Sequence, residues 1–212
     1  SILEPLKSGN LVVGKTVEEH DANLHNLMRV AREYGLVLNW NKCHIKQDRV
    51  RFYGLVFSKD GVQPDPHKTA AISALNAPRS VTELREFLGI VTYMSPFIPR
   101  LASLTAPLRE LMKKDVEYRW TESHQKVFET IKDIICKDIT LAYFDPKKPV
   151  VLEVDASTRG VGAALIQEGR PIAFASKSLT DTEQRYANIE REMLAVVYAC
   201  EKFHPYVYGK RF

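Results

Sequence analysis

Cysteine is scarce in this sequence of 212 residues: Cys43, Cys136 and Cys200 are the three present, and no two form a CxxC pair. An odd, sparse set argues against a disulfide scaffold and against a cysteine-based zinc site. A reducing, intracellular compartment is therefore expected. No run of about 18 apolar residues occurs, so no membrane span is expected. The opening SILEPLKSGN lacks the basic start and apolar middle of a signal peptide. It also lacks a methionine, and the expectation is a processed chain or one cut from something longer. There is no internal repeat and no low-complexity tract. Charge of one sign is not in large excess either, with 30 Lys and Arg against 26 Asp and Glu. The surplus sits early: residues 1–149 hold 22 basic against 18 acidic side chains, and residues 150–212 hold 8 against 8. So mild an excess fits a solvated mixed surface as well as it fits a nucleic-acid binder, which usually shows a clustered patch.

What is present is patterned. Apolar residues make up 45% and charged residues 26% of the chain, the balance of an ordinary globular protein. Thr16 with Glu19 forms a capping box. Leu24, Leu27, Met28 and Ala31 then share a helical face, and Gly35 ends the helix, giving a helix over about residues 17–34. Leu11 to Val13 reads as a short strand before it. RFYGLVFS (51–58), Lys59-Asp60-Gly61 and Val62 read as a hairpin with a tight turn. A short helix is expected from His67 to Leu75. Ser80 and Glu83 form a second capping box, with Leu84, Phe87, Leu88 and Val91 as the inner face. Further helices are expected from Leu101 to Met112 and after Thr121, the latter with Val127, Ile131, Ile134 and Ile135 inward. DPKKP (145–149) is the best linker. An antiparallel meander follows, with strands near 150–154, 161–167 and 172–175. Last comes a helix over about residues 188–203, with Ile189, Met193, Val196, Val197 and Cys200 expected to face inward.

Three stretches carry candidate chemistry. GNLVVGKT (9–16) fits the pattern of a phosphate-binding loop. Its interior Leu11-Val12-Val13 prefers a strand to a phosphate cradle, so the match is set aside. Around RFYGLVFSKDG, six basic residues face three aspartates between Lys42 and Lys68. Phe52, Tyr53 and Phe57 are interleaved with them. Cations can neutralise phosphates and aromatic faces can pack on bases or sugars, although a hairpin with one face in the core gives the same pattern. The third candidate is Asp155, at the end of a meander strand, together with Glu192 on the last helix. Two such carboxylates could share a divalent metal of the kind that hydrolyses phosphodiesters. Equally, they could be a turn former and a solvated helix charge. Periodicity does not select Glu192 over Glu190.

Taken together, these blocks resemble the Pol polyproteins of gypsy-type (Ty3-like) retrotransposons. LVVGKTVEEHDANLHNLMRVAREYGLVLNWNKC resembles the reverse-transcriptase palm, RFYGLVFSKDG the primer grip, and PDPHKTAAISALNAPRSVTELREFLGIVTYMSPFIPRLASLTAPLRELM the thumb. The stretch from Tyr118 to Pro149 resembles the connection. VLEVDASTRGVGAALIQ and IEREMLAVVYACEKFHPYVYGKRF resemble the first part of a ribonuclease H domain. The resemblance implies an α/β (α+β) chain in three parts: a partial palm with its primer-grip hairpin (1–63), a helical thumb and connection (64–149), and the start of a ribonuclease H-like domain (150–212), a three-stranded meander plus one helix. It implies RNA-directed DNA polymerase and ribonuclease H (endonuclease) activities with Mg²⁺ in the family. It makes Phe52, Tyr53 and Gly54 candidates for contact with a primer–template or RNA–DNA hybrid, and Asp155 and Glu192 candidate catalytic metal ligands.

Departures from the family pattern temper this. Where the family carries an aspartate pair before its palm strand, the sequence reads Lys7-Ser8-Gly9-Asn10. The third and fourth ribonuclease H carboxylates of the family would fall after Phe212. The expectation is a fragment that contacts nucleic acid but does not catalyse by itself, holding Mg²⁺ weakly. The strand bearing Asp155 is expected to be an open sheet edge, able to pair with further Pol segments or with another copy. Two alternatives remain: an active ribonuclease H completed by more sequence or by a partner, and a repurposed protein-interaction module.

Overall fold

The structure, a computed structural model, describes residues 11–137 and 139–212. It is mixed α/β, with two three-stranded antiparallel sheets and helices between and around them. Gly9, Asn10 and the stretch Lys7–Asn10 lie outside the described residues.

Helix α1 (Val17–Glu33) starts as its capping box requires: the Thr16 hydroxyl accepts from the Glu19 amide at 3.2 Å, and the Glu19 carboxylate accepts from the Lys15 amide at 2.8 Å. It ends in a Schellman pair at Gly35, with Gly35 N–H donating to Arg32 and Leu36 N–H to Ala31. Gly35 has φ +67°, a left-handed conformation that glycine adopts without penalty. Of the expected inner face only Ala31 is buried; Leu24, Leu27 and Met28 are half-buried. The strand expected at Leu11 to Val13 does not form, and these residues find no sheet partner among the described residues.

The first sheet also differs from expectation. Residues 51–58 are not one strand. They divide into β1 (Arg49–Phe52) and β2 (Leu55–Ser58), which pair antiparallel, and β3 (Gly61–Pro64) pairs with β2. The break falls at Tyr53-Gly54, both with positive φ (48° and 68°), the backbone of a two-residue hairpin turn.

Helices α2 (Pro66–Ser73), α3 (Val81–Tyr93), α4 (Leu101–Glu110) and α5 (Glu122–Cys136) follow. The Ser80 cap is present, and Leu84, Phe87, Leu88 and Val91 are buried as their spacing requires. In α5 the fully buried residues are Phe128, Ile131 and Ile135, with Val127 and Ile134 at the margin. Phe128 packs 4.7 Å from Phe87, centroid to centroid, and this aromatic pair sits in the larger core.

The second sheet has the order β4 (Val151–Ala156), β5 (Gly160–Gln167), β6 (Arg170–Ser178), so β4 is an edge strand as expected. Helix α6 (Asn188–Lys202) lies across one face and a short helix α7 (His204–Val207) follows it. The packing of α6 overturns the expected inner face. Ala195 and Ala199 are the buried residues, with Leu194 and Tyr198 beside them. Ile189, Met193, Val196 and Val197 are exposed and Cys200 is half-buried. Small alanines let the helix approach the sheet, and the bulky stripe is turned away from it.

The DPKKP stretch is not a free linker. The side chain of Gln167, itself buried, accepts from the Asp145 amide at 2.9 Å. It donates to the carbonyls of Asp145 (2.9 Å), Lys148 (3.2 Å) and Pro149 (3.4 Å). A bridge between Val62 and Leu141 joins the first sheet to the chain leading into the second.

Candidate nucleic-acid interface and metal centre

The Tyr53-Gly54 turn is held from two directions. The Tyr93 hydroxyl, at the end of α3, donates to the Tyr53 carbonyl. The Asp65 amide donates to the Gly54 carbonyl at 2.9 Å, and Asp65 caps α2 by accepting from the His67 amide at 3.0 Å. A Cβ placed on Gly54 would lie 3.6 Å from the Tyr93 hydroxyl and 3.8 Å from the Lys68 side chain. Phe52 is half-buried, with its ring edge-on to Tyr53 at 4.5 Å, and Phe57 lies beyond at 6.4 Å. Tyr53 and Tyr93 are more than half exposed. The structure therefore brings Phe52, Tyr53 and Gly54 to one projecting turn, with Tyr93 and Lys68 beside it.

Tyr93 and Lys68 were not singled out in the sequence. Nor was Gly89, which stands exposed in the middle of α3 with nothing within 4 Å of where its Cβ would be. A mid-helix glycine costs about 1 kcal/mol against alanine, and no close contact within the fold explains this one. That cost, on the face outside the Leu84–Val91 stripe, was the available signal.

Asp155 and Glu192 occupy different surroundings. Asp155 pairs across the sheet with Gly162, and Gly162 with Ser176. Directly paired residues share a face, so these three form one row. That row faces α4: Arg100 lies over Gly162, the Ala102 amide donates to the Ser176 hydroxyl at 3.0 Å, and Arg100 reaches Asp155 at 3.4 Å. The neighbouring row, Val154, Ala163 and Ala175, packs against α6 on the other face. Glu192 precedes Ala195 and Ala199 by three and seven residues, so it lies on the stripe of α6 turned toward the sheet. It is half-buried, whereas Glu190 is exposed and accepts from the Ala187 amide at 2.7 Å as a helix cap. The structure thus distinguishes Glu192 from Glu190, which spacing does not. Around α6, burial raises the Tyr198 phenol, and the Lys177 hydrogen bond at 2.8 Å lowers the Glu183 carboxyl.

Arg100 lies 3.4 Å from Asp155, and among the described residues no group of three or more His, Cys, Asp or Glu side chains is placed to hold a metal ion.

A three-stranded meander with a helix across one face, entered from a helical segment, is the start of a ribonuclease H-like fold. Residues 120–212 match the RNase H-like domain found in reverse transcriptase. The chain is 32% identical to the Retrovirus-related Pol polyprotein from transposon gypsy of Drosophila melanogaster, over 95% of this chain and 21% of that one. It is 31% identical to the Transposon Tf2-3 polyprotein of Schizosaccharomyces pombe, over 93% of this chain and 15% of that one. It therefore spans about a fifth or less of the length of these relatives. Among solved structures, a foamy viral protease-reverse transcriptase in complex with RNA/DNA hybrid superposes with a TM-score of 0.80 at 24% identity, over 93% of this chain and 27% of that one. A complex of the foamy viral enzyme with dsDNA gives a TM-score of 0.78, also at 24% identity, over 93% of this chain and 42% of that one. At that identity the likeness is one of fold.

The class is thus a reverse-transcriptase segment with a ribonuclease H-like domain. More narrowly, the chain belongs to the Gypsy/Ty3-type retrotransposon Pol polyproteins and is a segment of one. No helix among the described residues is long and apolar enough to cross a membrane.

Proposed function

We propose that this segment contacts an RNA–DNA hybrid or primer–template through the Phe52-Tyr53-Gly54 turn and the adjoining face of α3, and that it does not catalyse by itself. The observation that carries this reading is the convergence at one projecting turn of exposed Tyr53 and Tyr93, a left-handed backbone at Tyr53-Gly54, and Lys68. Arg51 and Arg85 are exposed on the same elements. Exposed aromatics offer faces for bases or sugars, and the cations offer phosphate contacts. The open space at Gly89 lets a backbone approach α3 closely. The solved relatives that share this fold are bound to RNA/DNA hybrid and to dsDNA, which supports the same ligand class here. The division into partial palm (1–63), thumb and connection (64–149) and partial ribonuclease H-like domain (150–212) belongs to this proposal. So does the reading of Asp155 and Glu192 as counterparts of family carboxylates that hold Mg²⁺ weakly in this segment.

A salt titration of binding to a labelled hybrid tests the interface. Three or four phosphate contacts give an affinity loss of roughly 40- to 150-fold between 50 and 200 mM salt. Lys68→Ala should lower the slope of log affinity against log salt by about 1. Tyr53→Ala should weaken binding with the slope kept. A flat salt response would remove the proposal. It would favour a protein-interaction module instead, for which the open β4 edge and the outward apolar stripe of α6 are the supporting observations.

A further inference from the structure

The turn between β1 and β2 is strained where it projects. Phe52 pairs with Leu55 across the hairpin, so Tyr53 and Gly54 form the whole loop. Both have positive φ, 48° and 68°. Asn-Gly and Asp-Gly suit such a loop, whereas a side chain as bulky as tyrosine holds this backbone at a cost. The carbonyls of the two loop residues also lie outside the β1–β2 ladder, and each is met from a helix. The Tyr93 hydroxyl, on the last residue of α3, donates to the Tyr53 carbonyl. The Asp65 amide, at the N-cap of α2, donates to the Gly54 carbonyl at 2.9 Å. The Tyr93 bond joins residues 40 apart in the chain. Tyr93 and Gly89 stand four residues apart on α3 and are both exposed, so they share one face of the helix. The hydroxyl therefore ties the turn to the face of α3 that carries the open space at Gly89.

We propose that Tyr93 is a positioning residue: its hydroxyl clasps the Tyr53-Gly54 turn to α3, so that hairpin and helix meet a duplex as one preset surface. This rests on the reading that the turn and α3 contact nucleic acid. A strained backbone persists where its surroundings require it, and the two donors from α2 and α3 supply that requirement here. Without the hydroxyl the turn gains freedom that binding must remove again, and affinity falls by that ordering cost. A duplex spans both elements and feels the loss. A single strand, whose flexible backbone adapts to Tyr53 alone, does not. The Tyr93 ring keeps its own exposed face for packing.

Tyr93→Phe tests the clasp, because it removes the hydroxyl and keeps the ring. Amide hydrogen exchange in the free full chain is the first readout. Exchange at the Asp65 and Leu55 amides should quicken by about two- to tenfold, the range set by loss of one hydrogen bond. Binding is the second readout. Affinity for a labelled RNA–DNA hybrid should fall by a similar factor, with the slope of log affinity against log salt kept, because no phosphate contact is lost. Affinity for single-stranded DNA of the same length should change by less than about twofold, since stacking on one aromatic needs no second surface in register. Unchanged exchange at Asp65 and Leu55 would overturn the clasp. Equal losses for hybrid and single strand would overturn it too, and would mean that the hydroxyl meets the nucleic acid itself. A wild-type chain that binds no hybrid at low salt would remove the interface reading and this proposal with it, whereas a failed clasp in a chain that binds hybrid leaves that reading in place.

Discussion

Gly61→Ala is expected to destabilise the protein by about 3–4 kcal/mol and to detach the hairpin sheet from the chain that enters the second sheet. Two causes add. Gly61 has φ +135°, a region that side-chain-bearing residues occupy only under strain. A Cβ there would also stand 2.1 Å from the Leu141 carbonyl oxygen, and that oxygen cannot yield without cost. It accepts from the Val62 amide at 2.9 Å, while the Leu141 amide donates back to Val62 at 2.9 Å. Gly169→Ala is the control. Gly169 also has positive φ (+72°), but nothing lies within 4 Å of its Cβ position. It should show only the left-handed penalty of about 1–2 kcal/mol. Urea unfolding of both variants, with the tyrosine hydroxyl contact of Tyr143 to Ser58 (2.9 Å) as a local reporter by NMR, separates strain from collision. Equal losses in the two variants would show that the close approach at Leu141 contributes nothing.

Gln167→Ala is the second large effect, expected at about 2–3 kcal/mol, or roughly 4–12 °C in Tm for a chain of this size. One buried amide makes four of the hydrogen bonds that fix residues 145–149, beside those that Lys210 donates to the carbonyls of Pro146 and Lys148. Removing it strips the Asp145 amide and the Pro149 carbonyl of this partner, while the carbonyls of Asp145 and Lys148 keep the Lys148 amide and Lys210; partial exposure admits water and limits the cost. Gln167→Glu should also destabilise near neutral pH, because a carboxylate cannot donate to the carbonyls of Asp145, Lys148 and Pro149. Proteolysis at the DPKKP stretch should quicken in both. A Tm shift under about 1 °C for Gln167→Ala, against the scale above, would contradict the account of this segment as a clasped connection.

These two positions also mark the limit of what the sequence discloses. DPKKP has the composition of a linker, and nothing nearby in the chain reveals that Gln167 closes it from 22 residues away. Helix starts and stops were legible because their causes are local: Thr16 with Glu19, Ser80 and Gly35 act within four residues of themselves. The β1–β2 turn was missed because Tyr-Gly is a weaker turn signal than Asn-Gly or Asp-Gly. The α6 stripe was found by periodicity but assigned to the wrong partner. Spacing shows that Ile189, Met193, Val196 and Val197 share a face; it does not show that the sheet will choose Ala195 and Ala199. The candidate carboxylates were legible only through resemblance, and their surroundings were not. Which row of a strand faces which helix depends on register, and register placed Asp155 under Arg100.

The central proposal is that this segment binds nucleic acid and does not cleave it by itself. The most direct measurement incubates the full chain with a labelled RNA–DNA hybrid and Mg²⁺ at low salt, and follows binding and cleavage in the same samples. The account predicts salt-sensitive binding that Tyr53→Ala and Lys68→Ala weaken, with the RNA strand left intact. Mg²⁺-dependent cleavage that disappears in Asp155→Asn would contradict it.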